Sequence, residues 1–296
     1  MTVIEQRIDL HTHTSFSDGT LTPEELVFEA KRIGLAAIAV TDHDTCDGLP
    51  RAVSAGRKAG IPVIRGCELS TRTERGEMHI LGLWVPENDP SFEKELARLR
   101  NFRNERNAKI LEKLRALGCD ITEEDLALQA KGRAVGRPHI ALALLAKGCV
   151  KSRAQAFHQY IGEGAKAYVP KETITPDQGC RLLKKVGATV CVAHPMLHKY
   201  PMDWLYDTLK RLVSCGLDAL EAWHTEHSPQ ETALCREWAL KLGLGLTGGS
   251  DFHGANKQGV SLGSGRNNLY IPFSVLTALR ERRRACGLPL DDALDE

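Results

Sequence analysis

Apolar positions along this chain follow two alternating periods. Short apolar runs occur at Ala36–Asp44 (AAIAVTDHD), Ile61–Ser70, Glu77–Val85, Ala188–Pro195, Leu217–Trp223 and Leu244–His253. They have the length and β-branched content of strands. Ile8–Thr20 (IDLHTHTSFSDGT) opens in the same way, and Asn267–Pro272 reads as a last strand. Between them lie stretches of helical spacing. Thr22–Gly34 carries an N-cap threonine, Pro23 and two acids in its first turn, which together start a helix. Further helices are expected at 48–60, Thr175–Val186, Met202–Cys215, Pro229–Leu242 and Phe273–Cys286. The alternation predicts an α/β fold of strands joined by crossover helices. Only the polar link TRTERG separates the third and fourth runs, which suits a hairpin-like pair. From Ser91 to about Lys171 the alternation stops. The stretch from Phe92 to Gly118 is helical in spacing, and shorter helices are expected at Thr122–Lys131, Pro138–Lys147 and Ser152–Gly162. The expected organisation is one α/β body formed by 1–90 and 172–296, with a helical insertion at 91–171.

Composition narrows the class. With 296 residues, 42% hydrophobic and 26% charged, the chain is long enough for one large core plus an inserted subdomain. A net charge of +1 argues against a broad field for nucleic acid. Nine cysteines without a C-x-x-C pair suit reduced thiols rather than a disulfide framework. No apolar run approaches the ~18 residues of a membrane span, and the expectation is a cytoplasmic protein with no membrane or obligate protein partner.

The candidate chemistry sits at strand ends. In His11-Thr-His13 the two imidazoles face one spot, because strand residues two apart share a face. Asp18 follows in a Ser-Asp-Gly turn, where a positive φ at Gly19 would fold the carboxylate back. His43 follows the second strand, Glu68 and His79 belong to the third and fourth, His194 ends the fifth, and Asp251 and His253 close the late strand. Any one of these has a bland reading as a hydrogen-bonded core histidine or a helix cap. Six of the 11 histidines in phase with the strand ends point to a multinuclear metal site, since imidazole with carboxylate suits zinc, manganese or iron. Parallel sheets and barrels carry their sites at that end.

These motifs, HTHTSFSDGT, TDHD (Thr41–Asp44), CELS (Cys67–Ser70), MHILG (Met78–Gly82), AHP (Ala193–Pro195) and SDFH (Ser250–His253), resemble the polymerase and histidinol phosphatase (PHP) superfamily over nearly the whole chain. The resemblance implies a distorted (β/α)7 barrel and a phosphoesterase centre of two or three divalent metals (Mn, Fe or Zn). It implies that His11, His13, Glu68 and Asp251 hold one metal. Glu68 would bridge to a second held by His79 and His194, and Asp18, His43 and His253 would hold a third. Asp42 and Asp44 are candidates to orient a ligating imidazole, and Asp44 reads equally as a loop cap. Within the superfamily the likeness is to the group that dephosphorylates 3′,5′-bisphosphate nucleotides and trims short single-stranded RNA from its 5′ end. It rests on GRPHIA (Gly136–Ala141), the placement of the insertion, and EAWHTEHSP (Glu221–Pro229).

Arg137 offers a planar fork for a second phosphate, and His139 lies near a helix N-terminus. The alternative for that pair is a salt-bridged arginine and a capping histidine. His227 is a third substrate candidate and a candidate acid for the leaving group; His198 and His224 are weaker, and His158 reads as structural. The basic run from Lys94 to Arg115 reads as a solvated helix face with Glu-to-Lys and Glu-to-Arg pairs. Aromatics at 5% leave few platforms for extended RNA. The expected activity is hydrolysis of a nucleotide phosphomonoester. The alternatives are a histidinol-phosphate phosphatase and a non-catalytic, metal-stabilised binding module.

Overall fold

A computed structural model describes residues 6–129, 135–170, 173–266 and 268–290. The chain forms six named strands: β1 (Ile38–Val40), β2 (Val63–Thr73), β3 (Gly76–Leu83), β4 (Thr189–Val192), β5 (Ala219–His224) and β6 (Gly245–Gly249). They lie side by side in chain order in one curled sheet. β1 runs parallel to β2, and β4, β5 and β6 are mutually parallel. β3 is antiparallel to both its neighbours, and a tight turn between Thr73 and Gly76 makes β2 and β3 the expected hairpin.

Residues 8–13 close the curl. Their backbone bonds to the β1 side through Asp9 N to Ala37 O (3.2 Å), Ala39 N to Asp9 O (2.8 Å) and Thr41 N to Thr12 O (2.9 Å). On the β6 side Leu10 N bonds to Gly248 O (3.1 Å), and His13 N bonds to Phe252 O (2.9 Å). This segment is the seventh stave of a distorted (β/α)7 barrel. The expected last strand is reduced to a single bridge between Arg7 and Pro272, and its first residue, Asn267, lies outside the described residues.

Strand alternation divides the core. Ile38, Val40, Val63, Ile80, Val190 and Val192 pack outward against the helices. Ala37, Ala39, Ile64, Leu81, Cys191 and Ala193 fill the barrel interior together with Ile8, Leu10 and Ile271, as a two-residue period requires. The helices carry the caps legible in the sequence. In α1 (Pro23–Arg32), α7 (Pro176–Lys185) and α9 (Pro229–Lys241) a Thr or Ser N-cap and a Glu or Gln three residues on form capping boxes. α2 (Leu49–Ala59), α8 (Met202–Val213) and α10 (Phe273–Ala285) complete the barrel's helices. Among the described residues no helix is long and apolar enough to cross a membrane.

Between β3 and β4 come α3 (Pro90–Ala116), α4 (Glu123–Gln129), α5 (Arg137–Ala146) and α6 (Arg153–Ala156), which runs into a π-helical turn at Phe157–Ile161. Lys131, the expected end of the fourth helix, and Lys171, the expected end of the insertion, lie outside the described residues. These helices share a core of their own around Ile110, Leu114, Ile140, Leu144 and Ile161.

Candidate metal centre and adjoining cavity

All nine candidate ligands converge at the carboxyl end of the barrel. Glu68, on β2, is fully buried at the centre. Its Oε2 lies 3.4 Å from His11 Nε2, 3.3 Å from His13 Nε2 and 3.0 Å from His43 Nδ1; its Oε1 lies 2.9 Å from His79 Nδ1 and 3.0 Å from His194 Nε2. Asp251 Oδ1 is 3.5 Å from His11 Nε2 and 3.2 Å from His13 Nε2. Asp18 Oδ1 is 3.2 Å from His253 Nε2, and its Oδ2 is 4.0 Å from His43 Nε2. Three sets of donor atoms each fall within 4.8 Å of one another: His11, His13, Glu68 and Asp251; His43, Glu68 and His79; and His13, Asp18, His43 and His253. His43 thus faces two sets, one through each ring nitrogen.

The donor set fits divalent cations. His11 Nε2, His13 Nε2, His43 Nδ1, His194 Nδ1, Asp18 Oδ1 and Glu68 Oε2 are buried without a hydrogen-bond partner, although buried polar atoms are ordinarily paired. His11 Nδ1 lies 3.0 Å from the Glu221 carboxylate, which selects the tautomer that leaves Nε2 with a lone pair for a metal. Burial alone would push the Glu68 carboxyl up, yet the imidazoles of His43, His79 and His11 hold it well below its ordinary value. Burial opposes charge on His13, and the carboxylates of Asp251 and Glu68 nonetheless raise it to about 10. At His43 burial prevails and lowers it to about 3. His194 (φ 28°) and Asp251 (φ 53°) both hold the left-handed backbone region, which costs energy outside glycine and clusters at functional sites.

Several expectations are corrected. Gly19 is absent from the positive-φ glycines; a Cβ there would lie 2.3 Å from the His13 carbonyl oxygen, so the turn needs glycine for space. Asp42 accepts hydrogen bonds from Thr14 N (2.8 Å), Thr14 Oγ1 (2.6 Å) and Ser17 Oγ (2.5 Å), and that serine hydroxyl lies 3.5 Å from His13 Nδ1. Its link to an imidazole therefore runs through Ser17. Asp44 accepts from Ser70 N (2.8 Å) and Arg103 Nη2 (2.6 Å), tying its loop to β2 and α3. Outside the nine candidate ligands, a carboxylate that does touch a ligand imidazole is that of Glu221, whose Oε2 also accepts the His194 backbone N–H at 2.6 Å. It was missed because LDALEAW reads as core strand; its one buried charge was the available signal. His224 accepts the Glu226 N–H at Nδ1 and presents Nε2 to Asp251 at 3.4 Å.

Beside the ligands opens a cavity of about 500 Å³ bounded by Asp18, His43, His79, His194, Asp251 and His253, with Lys257, Arg153, Phe157, Leu197 and His198 around it. Lys257 Nζ lies 2.7 Å from Asp251 Oδ2. Burial lowers His198 to about 4. His227 is buried with its ring 5.2 Å from that of His224 and its Nδ1 2.9 Å from the Ala222 carbonyl oxygen, which does not place it in the cavity mouth. His139 accepts the Gly136 N–H at Nδ1 (3.0 Å) and is 2% exposed, the contact of a capping histidine.

A second chamber of about 180 Å³ joins the first through Asp18, His43, Glu77, His79, Pro138 and Phe157, and three arginines line it: Arg103, Arg106 and Arg137. Arg137 Nη2 binds both oxygens of Glu77 at 2.9 Å. Arg103 and Arg106 come from the basic α3, which is not solvated all round: Glu95 and Arg98 form the expected exposed pair, but these two arginines are 5% and 6% exposed. Burial, then the charges of Arg103 and Arg137, lower Arg106 to about 9, and its Nε has no hydrogen-bond partner. Arg103 is paired with Asp44 and Arg137 with Glu77, so Arg106 adds the guanidinium that leaves this small space able to accept an anion.

Comparison with known proteins agrees with this geometry. The PHP domain family model matches residues 9–166. The chain is 33% identical to the 5′-3′ exoribonuclease Rnm of Escherichia coli (83% of this chain, 84% of that protein). It is 28% identical to the 3′,5′-nucleoside bisphosphate phosphatase of Chromobacterium violaceum (86% and 90%). A solved structure from Bifidobacterium adolescentis, assigned as a metal-dependent phosphoesterase, superposes with a TM-score of 0.83 at 31% identity, covering 94% of this chain and 96% of that one.

Proposed function

Because the chain belongs to the PHP domain family and is a metal-dependent hydrolase of phosphoester bonds, we propose that it removes the 3′-phosphate of nucleoside 3′,5′-bisphosphates. In this reading His11, His13, Glu68 and Asp251 hold one metal, Glu68 with His79 and His194 a second, and Asp18, His43 and His253 a third. Divalent manganese, iron or zinc bound there supplies a water of lowered pKa and neutralises charge on the scissile phosphate. The protein's part is positioning: Glu221 fixes the His11 ring, and Lys257 offsets the charge of Asp251.

The observation that carries the substrate assignment is the arginine chamber opening directly off the ligand cluster. A phosphate at the cluster and another at Arg103, Arg106 and Arg137 is the arrangement a bisphosphate satisfies. It is offered by the substrate named for the C. violaceum relative. The terminal nucleotide of a 5′-phosphorylated RNA presents the same pair, a 5′-phosphate and a 3′-phosphoester. Trimming of short RNA from the 5′ end, the activity named for the E. coli relative, is thus the related second activity.

Phosphate release by manganese-loaded protein tests both. Arg106→Ala is expected to raise KM for adenosine 3′,5′-bisphosphate by about 10–100-fold more than KM for adenosine 3′-monophosphate, the range expected for a charge-assisted contact. An equal effect on the two removes the second-phosphate assignment.

A further inference from the structure

Metals and arginines account for two phosphates and leave the rest of the substrate without a partner. Of the residues lining the larger cavity that are not candidate ligands, Pro138, Ala154, Phe157 and Leu197 are apolar, set among Glu77, Arg153, His198, Asn256 and Lys257. Leu197, on the loop after β4, is 37% exposed there. Phe157 belongs to the insertion and lines both chambers; it is the single Phe, Tyr or Trp lining either of them among the described residues. It also opens the π-helical turn Phe157–Ile161, a departure from α-helix frequent at functional sites. A molecule with one phosphate at the ligand cluster and one among the arginines passes this ring on its way. Apolar aromatic walls with a few fixed polar groups are how small-molecule sites hold an organic body, and a base stacked on an aromatic ring is the sequence-tolerant form of that contact.

We propose that Phe157, with Leu197 beside it, is the platform on which the substrate's nucleobase packs, and that this wall selects nucleotides over other bisphosphates. The inference rests on the bisphosphate reading above. Stacking on a π face is required of Phe157, whereas Leu197 contributes apolar cover.

The test compares kcat/KM for adenosine 3′,5′-bisphosphate with that for 1-deoxyribose 3,5-bisphosphate, which carries both phosphates and no base. Phe157→Leu keeps an apolar side chain against the insertion's core and removes the ring. It is expected to lower the nucleoside-to-abasic ratio about tenfold, mainly through KM of the nucleotide, with Phe157→Trp restoring it. Leu197→Ala, at an exposed loop position, is expected to lower the ratio in the same direction by less, and gives a readout should Phe157→Leu fail to fold. Wild-type protein that uses both compounds with equal kcat/KM overturns the platform alone, as does a Phe157→Leu variant with an unchanged ratio. Wild-type protein inactive on both overturns the bisphosphate reading and this inference with it.

Discussion

Glu221 shows how much depends on one oxygen atom. One carboxylate oxygen faces His11 Nδ1 and the other accepts the His194 N–H, so a single side chain on β5 orients two candidate ligands on separate staves. Glu221→Gln keeps the shape, yet its amide N–H₂ must face one of those two N–H groups. Metal affinity is expected to fall by about 10–100-fold, measured by competition with a chromophoric chelator; unchanged affinity removes the orienting role. At this scale the nine candidate ligands were legible because strand ends impose a phase that histidines and carboxylates can be checked against. Arg103 and Arg106 were legible too, by a signal the charge count concealed. Leu96, Leu99, Arg103, Arg106, Ile110 and Leu114 recur every three or four residues on one helical face, and all six are buried. The apolar stripe of α3 runs through the two arginines, which marks them as inward-facing. Glu221 lay beyond such reasoning, since the partner that gives its carboxylate a use is brought to it only by folding.

Among the elements, the close approach of β6 to the first segment is a tight constraint. A Cβ at Gly249 would lie 2.1 Å from His11 Cβ and 2.5 Å from His11 N, both beside the ligand-bearing backbone. Gly249→Ala is expected to cost about 3 kcal/mol through overpacking, seen as a fall of roughly 6–12 °C in Tm, with metal stoichiometry reduced in the same protein. A variant of wild-type Tm would show that the two segments can separate freely. The helices were placed well from sequence because Thr22, Thr175 and Ser228 announce their starts with capping boxes. The first and last strands were harder. Residues 8–13 pair with two neighbours through scattered bonds rather than a continuous ladder, and the segment before Pro272 is held by a single bridge; neither irregularity has a sequence signature.

For the whole molecule, the candidate ligand cluster is expected to act as a stability element. Five buried atoms of the three donor sets, His11 Nε2, His13 Nε2, His43 Nδ1, Asp18 Oδ1 and Glu68 Oε2, have no hydrogen-bond partner, a burden in the metal-free protein that bound cations would remove. Metal at about 100 times its Kd contributes about 2.7 kcal/mol for a single site. Exhaustive chelation is therefore expected to lower Tm by at least about 5 °C, with recovery on adding manganese or zinc; an unchanged Tm would mean that the cluster holds no metal in the folded protein. The helical insertion keeps its own core, and we propose that 91–171 is a subdomain added to the barrel formed by 1–90 and 172–296. Arg153 binds Asn256 Oδ1 (3.1 Å), and Asn256 in turn donates to the Asp18 carbonyl oxygen (2.8 Å). That chain of contacts fastens the insertion over the cavity it helps to line.

The stave formed by residues 8–13 also bears on when the barrel can close. Asp9 binds the backbone N–H of Ser250 across 241 positions of sequence, so the barrel closes through one of its most distant contacts, the kind that is slow to form. A nascent chain is made from this same end: the first two histidines of the cluster wait for Asp251, their partner late in the sequence, until most of the polypeptide has been synthesised. Metal capture by the complete set of candidate donors would therefore report that synthesis has passed His253 and that the barrel has closed.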